Sequence, residues 1–167
     1  MPSGLVRTKP RGLVKRLLRF PVVLYERDLG WLLGHRFLLL THHGRTSGRT
    51  YRTVLEVLQF DPATRESIVV SAWGRRADWF RNVQAGGAVE VRTGRLRYVP
   101  AHRVLSREEA EAFFARWEKE HPLEARILPY LLGLDTRGPA ARQQALDTVP
   151  FVAFRPRDAG EDDRSDG

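Results

Sequence analysis

The sequence predicts an α+β fold: a mostly antiparallel sheet with one helix before it and helices after it. Three observations carry this. Apolar segments follow one another in the order helix, three strands, helix, two strands, helices, strand. The strands are joined by hairpin-length connections, as at Asp61-Pro62-Ala63-Thr64 and at Gly94. The strict strand–helix–strand alternation that builds a parallel sheet is missing. At 167 residues the chain suits one domain with a substantial core.

The elements can be placed in order. Residues 1–12 carry Pro2, Gly4, Pro10 and Gly12 among basic residues, and read as a flexible basic tail. From Leu13 to Leu33 apolar residues recur at helical spacing, with Pro21 set to kink or split the helix. Its other face carries Lys15, Arg16, Arg19 and Arg27. Such a helix either packs on the domain with a solvated basic rim or lies on an anionic membrane face.

Arg36–Thr41 is a short apolar run, read as a buried strand, and Tyr51–Phe60 is a second, rich in aromatic and β-branched residues. Ser67–Trp73 is a third. Asp78–Ala85 reads as a short helix stopped by Gly86-Gly87. Ala88–Thr93 and Arg95–Val104 are strands; Val89 and Val91 alternate with Glu90 and Arg92, as a half-buried strand requires. Ser106 caps a helix with an acidic first turn, running to about Glu120. Leu123–Leu132 is a further helix with Pro129 inside or at its end, Arg137–Leu146 a short helical turn, and Val149–Phe154 the last strand. Residues 13–156 thus form the domain, and 157–167 an acidic tail expected to be disordered.

Composition narrows the chemistry. With no cysteine, disulfides, thiolate metal sites and a cysteine nucleophile are excluded. No group of His, Asp and Glu has metal-ligand spacing. Lys+Arg is 28 against Asp+Glu 20, a net charge of +8, and nearly all the cations are arginines. Arginine offers a planar fork suited to phosphate and carboxylate, so an anionic partner is suggested: a phosphorylated cofactor, nucleic acid or anionic lipid. No recognised nucleic-acid motif is present, and no nucleic acid is expected. No run of about 18 apolar residues is long enough to span a membrane, and no apolar core with a cleavage site follows the basic start. The expected location is cytoplasmic, including the inner face of the cell membrane.

Two stretches concentrate polar chemistry. His42-His43-Gly44-Arg45-Thr46-Ser47-Gly48-Arg49-Thr50-Tyr51-Arg52 combines glycines, hydroxyls and arginines. It has a phosphate-binding composition without a Walker motif, or it is an ordinary polar hairpin. Ser71-Ala72-Trp73-Gly74 ends a strand, and a glycine turn leads to Asp78-Trp79-Phe80-Arg81-Asn82. Trp73 can wall a flat ring system, since aromatic faces stack well.

The joint order of Leu38-Leu39-Leu40-Thr41, Gly44-Arg45-x-Ser47-Gly48-Arg49, Val69-Val70-Ser71-Ala72, Trp79-Phe80-x-Asn82 and Val89-Glu90-Val91 resembles the deazaflavin (F420)-dependent nitroreductase and quinone reductase family of actinobacteria. The resemblance covers roughly 35–104. It implies a split β-barrel like that of the FMN-binding and pyridoxamine-phosphate-oxidase proteins. It implies coenzyme F420 as cofactor, with FMN the less likely alternative. It places Arg45, Thr46, Ser47, Gly48, Arg49, Thr50 and Arg52 at the phosphate and polyglutamate tail. Ser71, Ala72, Trp73 and Gly74 would line the deazaflavin, with Asp78, Trp79, Arg81 and Asn82 completing the wall. The implied reaction passes hydride from reduced deazaflavin to a quinone, nitro compound or enone-type acceptor. Tyr130 is the implied residue for the developing anion; His42 and His43 are alternatives. A non-catalytic F420- or flavin-binding protein on the same barrel is the competing reading, and a basic membrane-surface or nucleic-acid module the next. The sequence departs from the family pattern at Thr46, where many members have a basic residue, at Tyr51, where many have arginine, and at Trp73, where many have lysine. Arg75 or Arg76 is placed to supply the basic contact.

Overall fold

The computed structural model describes residues 21, 23–27, 29–131 and 134–157, and for 128, 130 and 131 the backbone alone. The basic tail, the first part of the N-terminal helix and the acidic tail beyond 157 lie outside the described residues.

Seven strands form the sheet: β1 (Phe37–His43), β2 (Thr50–Asp61), β3 (Glu66–Val70), β4 (Ala88–Thr93), β5 (Leu96–Tyr98), β6 (Pro100–Val104) and β7 (Phe151–Pro156). Among the described residues, four complete α-helices accompany them: α1 (Asp78–Gln84), α2 (Arg107–Glu120), α3 (Pro122–Leu131) and α4 (Pro139–Thr148). Every neighbouring strand pair is antiparallel, in the order β5-β4-β1-β2-β3-β7-β6. The two ends of that order are consecutive in the chain, separated only by Val99. The sheet therefore curls into a nearly closed α+β split barrel.

The single strand expected over Arg95–Val104 is two. Leu96–Tyr98 pairs with β4, and Pro100–Val104 pairs with β7. Pro100 has no N–H for a ladder and Val99 is exposed, so the chain can turn there from one barrel edge to the other. The third strand is also shorter than expected. It stops at Val70, because the Ser71 hydroxyl donates to the Gly74 carbonyl (2.7 Å) and closes a turn.

Side-chain alternation divides the core into two layers. Leu38 and Leu40, Leu55 and Val57, Val69, Val91, Val152 and Phe154 fill the barrel, together with Trp79, Phe80 and Val83 of α1. Ile68, Phe151 and Ala153 point the other way and pack under Ala110, Phe113, Phe114 and Trp117 of α2 and Ala125 of α3. β3 and β7 are thus buried on both faces, which is why they read as continuous apolar runs. Each large side chain so buried contributes about 1.5–3 kcal/mol.

Helix α2 starts with a reciprocal capping box: Ser106 accepts from the Glu109 N–H, and the Glu109 carboxylate accepts from the Ser106 N–H (2.8 Å). Trp117 anchors the helix to the sheet by donating its indole N–H to the Leu58 carbonyl (3.1 Å). Residues 23–26 are helical and a 3-10 turn spans Gly30–Leu33. Tyr25 ties this segment to the barrel through its hydroxyl, which donates to the Phe37 carbonyl (2.8 Å). No helix among the described residues is long and apolar enough to cross a membrane.

Candidate functional site

The turn between β1 and β2 is closed by its own backbone. The Gly44 N–H donates to the Arg49 carbonyl and the Gly48 N–H to the Gly44 carbonyl, both at 2.8 Å. Gly48 takes φ 64°, a left-handed conformation that glycine adopts without cost. Gly44 lies under the turn, where an added Cβ would come within 2.6 Å of the Ser47 Oγ and 2.8 Å of the Tyr51 ring.

Helix α1 approaches this turn from the side. Its C-terminal end is stitched to β1 through Gly87, which accepts from the His43 N–H (2.8 Å) and donates to the Asn82 carbonyl (2.9 Å). This places Asn82 beside the turn, and its side-chain Oδ1 accepts from both the Arg45 backbone N–H (3.1 Å) and the Arg45 guanidinium (2.9 Å). The same guanidinium lies 3.4 Å from the Asp78 carboxylate. On its other side Asn82 contacts His42 (Nδ2 to Nδ1, 3.1 Å), and His42 Nε2 contacts Thr53 Oγ1 (3.1 Å). His42 and Asn82 are both buried. Burial holds the His42 imidazole below its ordinary range; the neighbouring His43 lowers it further, against a smaller upward pull from Asp78.

Between the turn and α1 lies an open cleft of about 720 Å³. Arg45, Thr46, Ser47 and Arg52 line one side, and Asp78, Trp79 and Asn82 the other. Trp73 stands at its edge with 60% of its surface exposed. The remaining residues singled out from the sequence sit elsewhere. Gly48, Arg49 and Thr50 form the hairpin turn without lining the cleft. Ser71, Ala72 and Gly74 shape the bend that presents Trp73; Ser71 is fully buried, and an added Cβ on Gly74 would meet the Thr148 carbonyl at 2.9 Å. Arg81 is exposed on α1 and away from the cleft. Tyr130 is on α3, and its side chain lies outside the described residues.

The cleft also holds Arg76, one of the two arginines offered for the basic contact, and residues that were not among the expected cofactor contacts: His42, Gly44, Tyr51, Thr53 and Ala77. The pattern held a signal for two of them. On β2, Tyr51 and Thr53 share one face by period-2 alternation, opposite His42 and Leu40 of β1.

The site's chemistry is polar and cationic. Arg52 and Arg76 make no ion pair among the described residues, and Thr46 and Ser47 add hydroxyls. The Ser47 and Tyr51 hydroxyls lie 3.3 Å apart. Exposed indole and phenol faces stand beside these donors. The set suits a ligand with an anionic chain and a flat ring. No group of three or more metal-ligating side chains occurs among the described residues.

The model of the F420H2-dependent quinone reductase family matches residues 18–126. No curated protein matches the sequence. Among solved structures, the chain is similar to one described as an F420-H2 dependent reductase, with 19% identity over 73% of this chain and 96% of that one (TM-score 0.49). It is similar to another described as a domain-swapped dimer, with 17% identity over 86% of this chain and 100% of that one (TM-score 0.51). A third is a protein of unknown function from Agrobacterium tumefaciens, with 16% identity over 91% of this chain and 58% of that one (TM-score 0.50). At these identities the structural likeness is one of fold.

Proposed function

The chain belongs to the F420H2-dependent quinone reductase family, an oxidoreductase family whose cofactor is coenzyme F420, and from that premise we propose how its own residues hold the cofactor and which acceptor they serve. The observation that carries the reading is the cleft between the β1–β2 turn and α1, where arginines, hydroxyls and an exposed indole converge. Arg45, Arg52 and Arg76, with Thr46 and Ser47, would hold the anionic tail by charge-assisted hydrogen bonds, and the turn residues Gly48, Arg49 and Thr50, outside the cleft lining, would complete the tail site. Trp73, exposed at the cleft edge, would wall the flat ring, and the bend Ser71–Gly74 sets its position. Trp79 and Asn82 form the floor, and Asp78 orients Arg45.

When bound, reduced deazaflavin supplies the hydride; the protein supplies position, charge and exclusion of water. The acceptor class is a quinone, with nitro compounds and enones as further electrophiles. Reduction builds negative charge on the acceptor, and Tyr130 is the proposed residue to stabilise or protonate it. His42 does not fit that part, because it is buried between Asn82 and Thr53.

The test is titration with F420 and FMN side by side, then oxidation of reduced F420 by a panel of quinones, nitro compounds and enones. Arg45→Ala/Arg52→Ala, which removes two cleft-lining cations, should weaken F420 binding by about two to four orders of magnitude, since about 1.4 kcal/mol corresponds to tenfold and each charge-assisted bond contributes about 1.5–3 kcal/mol. Equal binding by the double variant would sink the tail site.

The same reading includes peripheral contact with an anionic membrane face, a sensible place to meet lipid-soluble quinones. Val23, Leu29, Trp31 and Leu32 are exposed together at the N-terminal edge, with the Arg95 guanidinium 5.5 Å from the Trp31 ring. Flotation with anionic vesicles should retain the full chain and lose Trp31→Glu/Leu32→Glu. Flotation of both alike, or of neither, refutes the contact.

A further inference from the structure

The hydrogen bonds around Asn82 determine more than a packing arrangement. Its Oδ1 accepts twice from Arg45, from the backbone N–H at 3.1 Å and the guanidinium at 2.9 Å. Two donors on one atom assign it as oxygen, so the atom facing His42 is the amide nitrogen. An amide NH2 only donates. His42 Nδ1, 3.1 Å away, must therefore carry no proton. A neutral imidazole has one N–H, which is then on Nε2, and donates to Thr53 Oγ1 at 3.1 Å.

We infer that His42 is a positioning residue: in its neutral, Nε2-protonated form it fixes the Asn82 amide, and through Asn82 it aims Arg45 along the cleft. Protonation of Nδ1 would set an N–H against the Asn82 NH2. The amide must then turn over to accept, and its NH2 faces the two Arg45 donors. Both Arg45 bonds are lost together. The coupling needs no change in backbone, and it is enforced by burial, since neither His42 nor Asn82 can turn to water instead.

The groups facing the ring come from each element around it. On β1 the neighbour is His43, and on the β1–β2 turn it is Arg45. On β2 they are Thr53 and Tyr51, whose ring stacks at 5.9 Å between centroids. On α1 they are Asp78 and Asn82, and β4 places uncharged Ala88 opposite. Asp78 is exposed and acts against burial and His43, both of which favour the neutral ring. The neutral form therefore prevails at physiological pH, and its loss belongs to the acid side.

The inference rests on the proposed contact of Arg45 with F420 for its functional consequence, but not for the tautomer itself. Nitrogen NMR of the full chain labelled at histidine should show His42 neutral with the proton on Nε2 at pH 7. The F420 dissociation constant should rise about tenfold on acidification through the His42 midpoint seen by NMR. His42→Asn places a carboxamide oxygen near the Nδ1 position and does not titrate. In it the ratio of acid to neutral dissociation constants should shrink toward the part due to the cofactor's own titration, which both proteins share. Asn82→Asp presents a carboxylate that demands a proton on Nδ1, and should raise the His42 midpoint and move the tautomer. A cationic or Nδ1-protonated His42 at pH 7, an unshifted midpoint in Asn82→Asp, or an undiminished acid effect in His42→Asn would each overturn the inference. Wild-type F420 affinity in Arg45→Ala would instead remove the cofactor contact while leaving the tautomer standing, so the two failures are distinguishable.

Discussion

Gly87 shows how one residue can control the site without touching a ligand. It lies where the end of α1 meets β1, bonded to His43 and to the Asn82 backbone. An added Cβ would come within 2.6 Å of the His43 carbonyl oxygen and 2.8 Å of that of Asn82, both backbone atoms that cannot swing aside. Gly87→Ala should destabilise by about 1–3 kcal/mol, and should weaken F420 binding because Asn82 moves with the strain. Gly86 beside it takes φ 79° and has open space around it. Gly86→Ala should cost about 1–2 kcal/mol from backbone conformation alone and leave affinity little changed. Thermal melts with F420 titration on both variants separate the two effects; equal affinity losses would refute the role given to Gly87. The sequence marks this pair only as a helix stop. Which glycine is crowded depends on the approach of β1, whose His43 lies 44 residues before Gly87 and so escapes a local pattern.

At the scale of elements, α2 and the barrel are stabilised by different means. The Ser106–Glu109 capping box satisfies free backbone donors at the helix start. Ser106→Ala should cost about 1 kcal/mol, read as a lower melting temperature, with F420 affinity unaltered because α2 contributes nothing to the cleft lining. A loss of affinity would mean that α2 reaches the site. The cap was legible in the sequence, since Ser-x-x-Glu before an apolar periodic run is a local signal. The strands β5 and β6 were not separable there. Leu96 to Val104 reads as one extended run, and extended backbone is compatible with pairing to either edge. What parts them is the curl of the sheet, which brings β4 and β7 to the two sides of Val99.

For the whole molecule, protonation links fold to pH. His35, His42 and His102 are each held below their ordinary range near 6.5, by burial first in all three; Arg157 adds to the effect at His102. The unfolded chain therefore binds protons that the folded chain refuses. Stability is highest above about 6.5 and is lost as pH falls from there through the lowered folded values. Glu56 works the other way, because burial raises its carboxyl and favours uptake of a proton on folding, but it is one group against three. The melting temperature should fall as pH is lowered from about 6.5 to 5. A flat profile across that range would count against the buried neutral histidines.

The local chemistry of this chain is decided by its order of residues: strand and helix periods, the glycine turn after His43, the capping box, the arginine excess and the motif series from Leu38 to Val91. Those features act over a few residues, so they survive without knowledge of the fold. The network of His42, Asn82 and Arg45 is decided only by tertiary structure. Its members belong to a strand, a helix and a turn, and the hydrogen bond between positions 42 and 82 exists because barrel closure carries α1 back over the β1–β2 turn. A histidine's tautomer follows from its partners, and partners 40 residues apart are set by packing rather than by sequence spacing.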